Sequence, residues 1–195
     1  MPTYLFGALF LLTPELMGVS MLGFSAQGSL LLLVFLNTFV APALLIYYFY
    51  RMGFIRSLHL DELRDRRIPY LTTLLIYTFS TYLFGWQLQP ISDLAPQIAI
   101  ILGSITFSIA IVALVSLRWK ISAHATGIGG CMGALAGIFL RYGDSTLFYP
   151  FLLGILITGV LMSARLQLNA HTPSQITAGL SLGLSVSITA VFVFL

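Results

Sequence analysis

The sequence predicts an all-α fold, a polytopic transmembrane bundle of six to seven helices, and three observations carry that expectation. Of 195 residues 58% are hydrophobic and 8% charged, against about 25% charged in soluble domains, and the mean hydropathy is +0.99. No Asp, Glu, Lys or Arg falls between Glu15 and Arg51, Arg67 and Asp93, Asp93 and Arg118, Lys120 and Arg141, Asp144 and Arg165, or after Arg165. Each interval can hold the roughly 20 apolar residues that an α-helix needs to cross a bilayer. The apolar runs are also too long for the short alternating strands of a membrane barrel.

Spans are expected over 3–22, 29–50, 68–86, 97–117, 123–140, 148–164 and 173–195. The first contains Pro14 and Glu15, and a carboxylate inside a span needs a polar partner or an interfacial position. Nothing basic precedes it and no small-residue processing site follows, so no cleavable leader is expected. Asn37 in the second span is expected to hydrogen-bond to another helix. Tyr47, Tyr48, Tyr50, Trp86 and Trp119 read as residues of the interfacial aromatic belts. Gly129, Gly133 and Gly137 recur at four-residue intervals beside Ala134, and Gly179 and Gly183 repeat the device in the last span. Small residues at that spacing let helices approach closely, which predicts that spans 123–140 and 173–195 are packed neighbours. The chain reads as one domain, 1–195, without linker or low-complexity tract. Cys131 is its only cysteine, which excludes an internal disulfide and a cysteine-rich metal site.

Three polar clusters interrupt the apolar sequence: Asp61-Glu62-Leu63-Arg64-Asp65-Arg66-Arg67-Ile68-Pro69, then Lys120-Ile121-Ser122-Ala123-His124, then Arg165 with His171 and Gln175. Polar groups are expensive beside hydrocarbon, so such clusters point to function. Two expected spans separate the first cluster from the second and two more separate the second from the third, so all three emerge on one membrane face and can converge on one pocket. The loops of the other face, 23–28, 87–96 and 142–147, carry only Asp93 and Asp144 besides the flanking Arg141. His59, in the first polar loop, is assigned no role.

These clusters carry a resemblance. Ile121-Ser122-Ala123-His124 resembles the Pro-Ser-Gly-His motif of the type 2 phosphatidic acid phosphatases. Ala164-Arg165-x5-His171-x3-Gln175 resembles their Ser-Arg-x5-His-x3-Asp motif, and Arg64-Asp65-Arg66-Arg67-Ile68-Pro69 stands where they have Lys-x6-Arg-Pro. The resemblance covers the chain from about the second span to Leu195. It implies a membrane lipid phosphatase in which His171 attacks phosphorus and forms a phosphohistidine, while His124 is the general acid for the leaving group. Arg165 and Arg67, with Arg64 as a candidate, would clamp the phosphoryl oxygens. Ser122 and the amides of Ala123 and His124 would complete an oxyanion cradle at a helix start. The implied substrate is a lipid phosphate or diphosphate of the polyprenyl, phosphatidic acid, phosphatidylglycerol phosphate or lipid A type, met within the membrane lipids. No metal, cofactor or nucleic-acid partner is implied.

The chain departs from the family pattern at two positions. If Arg67 is the motif arginine, the lysine position falls on Leu60, and Lys120 is the candidate substitute. Gln175 replaces an aspartate that would orient the His171 ring and stabilise its charge; loss of an orienting carboxylate in an analogous triad costs about four orders of magnitude in rate. A degenerate lipid-phosphate binder or carrier is therefore an alternative. A further alternative is a Mg²⁺-dependent membrane prenyltransferase, in which Asp61 and Asp65 would share a helix face, although such enzymes need a second acidic cluster. The loop charges, with Arg141 alone on the far face, favour a cytoplasmic motif side. The resemblance implies a site outside the cytoplasm of a bacterial cell.

Overall fold

The computed structural model describes residues 1–58 and 62–195; His59, Leu60 and Asp61, and with them the lysine position and half of the Asp61/Asp65 pair, lie outside the described residues. Among the described residues the structure is all-helical. Helices α1 (Pro2–Leu12), α2 (Phe24–Phe35), α3 (Ala41–Arg51), α4 (Leu63–Tyr82), α5 (Ile91–Leu94), α6 (Pro96–Val115), α7 (Ala123–Tyr142), α8 (Phe148–Gln167) and α9 (Pro173–Phe194) follow in order. A π-helical turn, Leu36–Val40, joins α2 to α3 in one continuous helix, and a second, Leu83–Gln87, extends α4. Five segments are long and apolar enough to cross a membrane: Phe24–Arg51, Pro96–Val115, Ala123–Tyr142, Ser145–Gln167 and Pro173–Phe194.

The expected span 3–22 is not one helix. Pro14 has no amide hydrogen to donate and its ring clashes with the preceding turn, so α1 stops at Leu12 and Thr13 caps it, its amide and hydroxyl both donating to the Leu9 carbonyl. At 11 residues and 1.5 Å per residue, α1 extends only about 16 Å, half the hydrocarbon thickness. Its Leu5, Phe6, Leu9 and Phe10 are buried in one core with Ile98, Leu102, Ile138 and Leu147. Glu15 is exposed in the following turn, which removes the need for a polar partner inside the bilayer. Gly18 is required there: its φ is +68°, and a Cβ would run into the Leu94 carbonyl. Asn37 also departs from expectation, donating to Leu33 of its own helix at 2.9 Å.

The pairing of α7 with α9 follows the glycine pattern. A Cβ at Gly133 would stand 2.5 Å from the Leu184 carbonyl oxygen and one at Gly179 2.5 Å from that of Ser122. At Gly129 and Gly183 it would meet the carbonyls of Leu180 and Thr126. The two backbones are in contact, so no larger residue fits without separating the helices. α8 is peripheral, with none of its residues buried. We predict that Gly183→Val lowers the detergent unfolding midpoint by an amount equivalent to about 1–3 kcal/mol or more, the usual overpacking cost. Gly159→Ala, where a Cβ meets nothing within 4 Å inside α8, should not lower it and can raise it slightly through the higher helix propensity of Ala. Equal midpoints for both variants would contradict the close packing.

Candidate functional site

The Arg165 to Gln175 stretch is a helix end, a turn and a helix start. Asn169 takes the left-handed conformation, φ 50°, and the Asn169 and Ala170 amides donate to the Leu166 and Arg165 carbonyls at 2.9 and 3.1 Å. That is the Schellman arrangement that ends a helix, and it fixes Arg165 in the last turn of α8. Thr172 then caps α9 through a capping box: its hydroxyl accepts from the Gln175 amide while Gln175 Oε1 accepts from the Thr172 amide at 3.2 Å. The same Oε1 lies 3.1 Å from His171 Nδ1. An amide oxygen only accepts, so Nδ1 carries the proton and Nε2 the lone pair. Gln175 thus orients the imidazole and caps the helix with one atom.

Ser122, fully buried, is the N-cap of α7, its Oγ accepting from the Ala125 amide at 3.3 Å. Its hydroxyl is committed to the helix start, beside the first-turn amides of Ala123 and His124. Arg165 hydrogen-bonds to His124 Nδ1. Because a guanidinium only donates, Nδ1 accepts and the ring proton sits on Nε2. Arg165 Nε is buried with no partner among the described residues, an uncommon state for a buried donor and one that an incoming anion would relieve.

The first cluster is helical from Leu63 onward, and that decides which arginine points inward. The buried face of α4 runs through Asp65, Arg66, Pro69, Tyr77 and Ser80, while Arg64 and Arg67 are exposed. Arg66, 4% exposed, donates to the Ile121 carbonyl at 3.2 Å and to the Tyr70 hydroxyl at 3.4 Å. Asp65 accepts from the Arg56 amide at 3.2 Å, which ties its carboxylate to the preceding turn. The sequence singles out the cluster but gives the clamp roles to Arg67 and Arg64, whereas the structure buries Arg66. The helical repeat supplied a signal, since stepping back along the face of Ser80, Tyr77 and Pro69 reaches Arg66 and passes over Arg64 and Arg67.

The three clusters therefore meet at one end of the bundle. Arg66 joins the first to Ile121 of the second, the Ser122 amide joins the second to the Gln175 carbonyl of the third at 3.2 Å, and Arg165 joins the third to His124. Two cavities flank the junction. One of about 400 Å³ is lined by Lys120, Asn169, His171, Thr172 and Gln175. The other, about 450 Å³, has Met1, Tyr70, Ala123, His124 and Thr126 among its lining residues. The two histidines thus border different cavities, with Arg165 on the His124 side.

Burial pushes the His171 pKa below the usual 6.5; the hydrogen bond to Gln175 and one to the Lys120 backbone oppose this, and the charges of Arg66 and Lys120 add to it. The two hydrogen bonds draw on ring N–H groups and so favour the imidazolium, whereas burial and the two charges favour the neutral ring, the form whose lone pair a nucleophile needs. Comparison of the chain with family models, with curated proteins and with solved structures finds no match.

The signs of these effects can be separated by NMR titration. Arg66→Gln removes a charge that disfavours the imidazolium, so the His171 pKa should rise; Gln175→Leu removes a bond that favours it, so the pKa should fall further. Shifts in the same direction for both variants would contradict the arrangement.

Proposed function

We propose that the chain is a six-span membrane lipid phosphatase of the type 2 phosphatidic acid phosphatase kind, acting through a phosphohistidine on His171. The sixth span is α4, at 20 residues as long as the shortest of the apolar five but carrying Arg64, Asp65, Arg66 and Arg67 in its first turns, where they reach the interface. The observation that carries the reading is the convergence of the three clusters through Arg66, Ser122 and Arg165 around an imidazole oriented by Gln175.

In the first step the His171 Nε2 lone pair attacks phosphorus and the bond to the lipid oxygen breaks, its electron pair leaving with that oxygen. Arg165 shifts from His124 to the phosphoryl oxygens, where Arg66 and Lys120 add positive charge. His124, released from the guanidinium and facing an anion, takes up a proton and delivers it to the leaving alkoxide or phosphate. Water then attacks the phosphohistidine, His124 accepts its proton, and the P–N bond breaks with its electrons returning to Nε2. Inorganic phosphate departs. Arg64 and Arg67, both outward-facing, have no part in this scheme.

A second reading, a lipid-phosphate binder without turnover, is favoured by one feature: Arg165 occupies His124 and the histidines border separate cavities. Phosphate release from a panel of lipid phosphates by the purified protein in chelator separates the two. Release, with an acid-labile phosphoenzyme that disappears in His171→Ala, is the expected result; binding without release selects the second reading. Arg66→Ala should lower kcat/KM by about tenfold to a hundredfold, as losing a charge-assisted hydrogen bond worth about 1.5–3 kcal/mol requires, whereas Arg64→Ala should change it less than about twofold. The reverse order would remove Arg66 from the site. Gln175→Glu keeps the capping box and adds the missing charge, so turnover should rise; unchanged turnover with an intact fold would mean that the amide oxygen already orients the ring sufficiently.

A further inference from the structure

Of the nine basic side chains, Arg141 alone lies at the end of the bundle away from the clusters. The other eight gather at the cluster end, and the structure divides them into two kinds. Arg66 is buried, Arg165 is held against His124 and Lys120 borders the cavity of His171; these three are the cations of the phosphoryl site. Arg51, Arg56, Arg64, Arg67 and Arg118 are exposed, and none of the five lines either cavity beside the histidines. They stand where the chain crosses the interface: Arg51 ends α3, Arg64 and Arg67 lie in the first turns of α4, and Arg118 follows α6. Arg56, between α3 and α4, pairs with Glu62 at 3.3 Å.

At the opposite end Arg141 sits in the last turn of α7 and donates to the Val191 carbonyl at 3.2 Å and to the Phe192 carbonyl, which caps α9. The other charges there are Glu15, Asp93 and Asp144.

Arginines and lysines near the ends of spans set the orientation of a helical membrane protein, and the cytoplasmic leaflet that they meet is negatively charged. Acidic residues contribute little, so the basic ones are counted. A cation that binds phosphate is needed on the side of the site in either orientation and is no guide to which it is. With Arg66, Lys120 and Arg165 set aside for that reason, five exposed arginines at the cluster end remain against Arg141 at the other.

We infer that the cluster end faces the cytoplasm, so that the site takes its lipid phosphate from the cytoplasmic leaflet and releases phosphate into the cytoplasm. This is the side opposite to the one that the family resemblance implies. The identity of the substrate rests on the lipid-phosphatase reading; the orientation does not. A lipid phosphate made at that face, by transfer from a water-soluble phosphoryl donor, reaches the site without its charged head crossing the bilayer.

The test is labelling with a membrane-impermeant maleimide in bacterial cells that express the full chain with Cys131→Ala and one introduced cysteine. Ser25→Cys, exposed at the start of α2 on the far side, should react equally in intact and in opened cells. Gln167→Cys, exposed at the end of α8 on the cluster side, should react in intact cells at less than about a tenth of its level in opened ones, as the charge bias requires. Ser145→Cys on the far side and Ser174→Cys on the cluster side form a second pair, which keeps the test intact if one of the first two variants fails to fold. Labelling of Gln167→Cys or Ser174→Cys in intact cells would overturn the orientation, as would far-side cysteines that react only in opened ones. Phosphate release from lipid phosphates by the purified protein tests the other reading separately. A cytoplasmic cluster end without release would leave the orientation standing and overturn the phosphatase.

Discussion

Backbone contact between α7 and α9 is the constraint on which the site depends. Gly129, Gly133, Gly179 and Gly183 let carbonyls of one helix lie where side chains of the other would otherwise stand. At the motif end the same closeness places the Ser122 amide on the Gln175 carbonyl, 3.2 Å apart, so the start of α7 and the start of α9 cannot move independently. His124 and His171, each within a turn of that bond, inherit their separation from it. Small residues throughout a helix interface carry an entropic cost in the individual helices, and here they position two helix starts.

Local stop and start signals do the remaining positioning. The Schellman turn at Asn169 and the capping box of Thr172 and Gln175 place Arg165 and His171 on either side of one short connection. Gln175 satisfies the helix-start amide of Thr172 and the His171 ring with a single oxygen. A carboxylate in its place would add charge to a geometry that already exists. Arg66 enters from α4, anchored to the Ile121 carbonyl, so each cluster is tied to a neighbouring one by a direct hydrogen bond.

Much of this was legible in the sequence. The later spans, expected over 97–117, 123–140, 148–164 and 173–195, lie within a few residues of Pro96–Val115, Ala123–Tyr142, Phe148–Gln167 and Pro173–Phe194, because charged loops bound uniformly apolar runs. The contact of α7 with α9 was legible in the glycine spacing. Asn37 bonds within its own helix and not to another, and two further features were read wrongly, for physical reasons. The span expected over 3–22 runs through Pro14, a residue already visible as a misfit there, and Pro14 ends α1 after 11 residues. The run Arg64 to Arg67 looks like a loop by charge, yet it is the first part of α4, so helical periodicity and not proximity to Pro69 determines that Arg66 is the inward arginine. The Thr172-x-x-Gln175 pattern is also a capping-box signature, a structural role that the motif comparison concealed.

The central claim is that the converging clusters form one phosphoryl site with His171 as its nucleophile. A structure of the protein with orthovanadate, which adopts the five-coordinate geometry of phosphoryl transfer, tests it most directly. The account predicts vanadium bonded to His171 Nε2, with Arg66 and Arg165 on its oxygens and Arg165 detached from His124. Vanadate bound elsewhere, or held by the exposed Arg64 and Arg67 with the Arg165 to His124 contact intact, would contradict it.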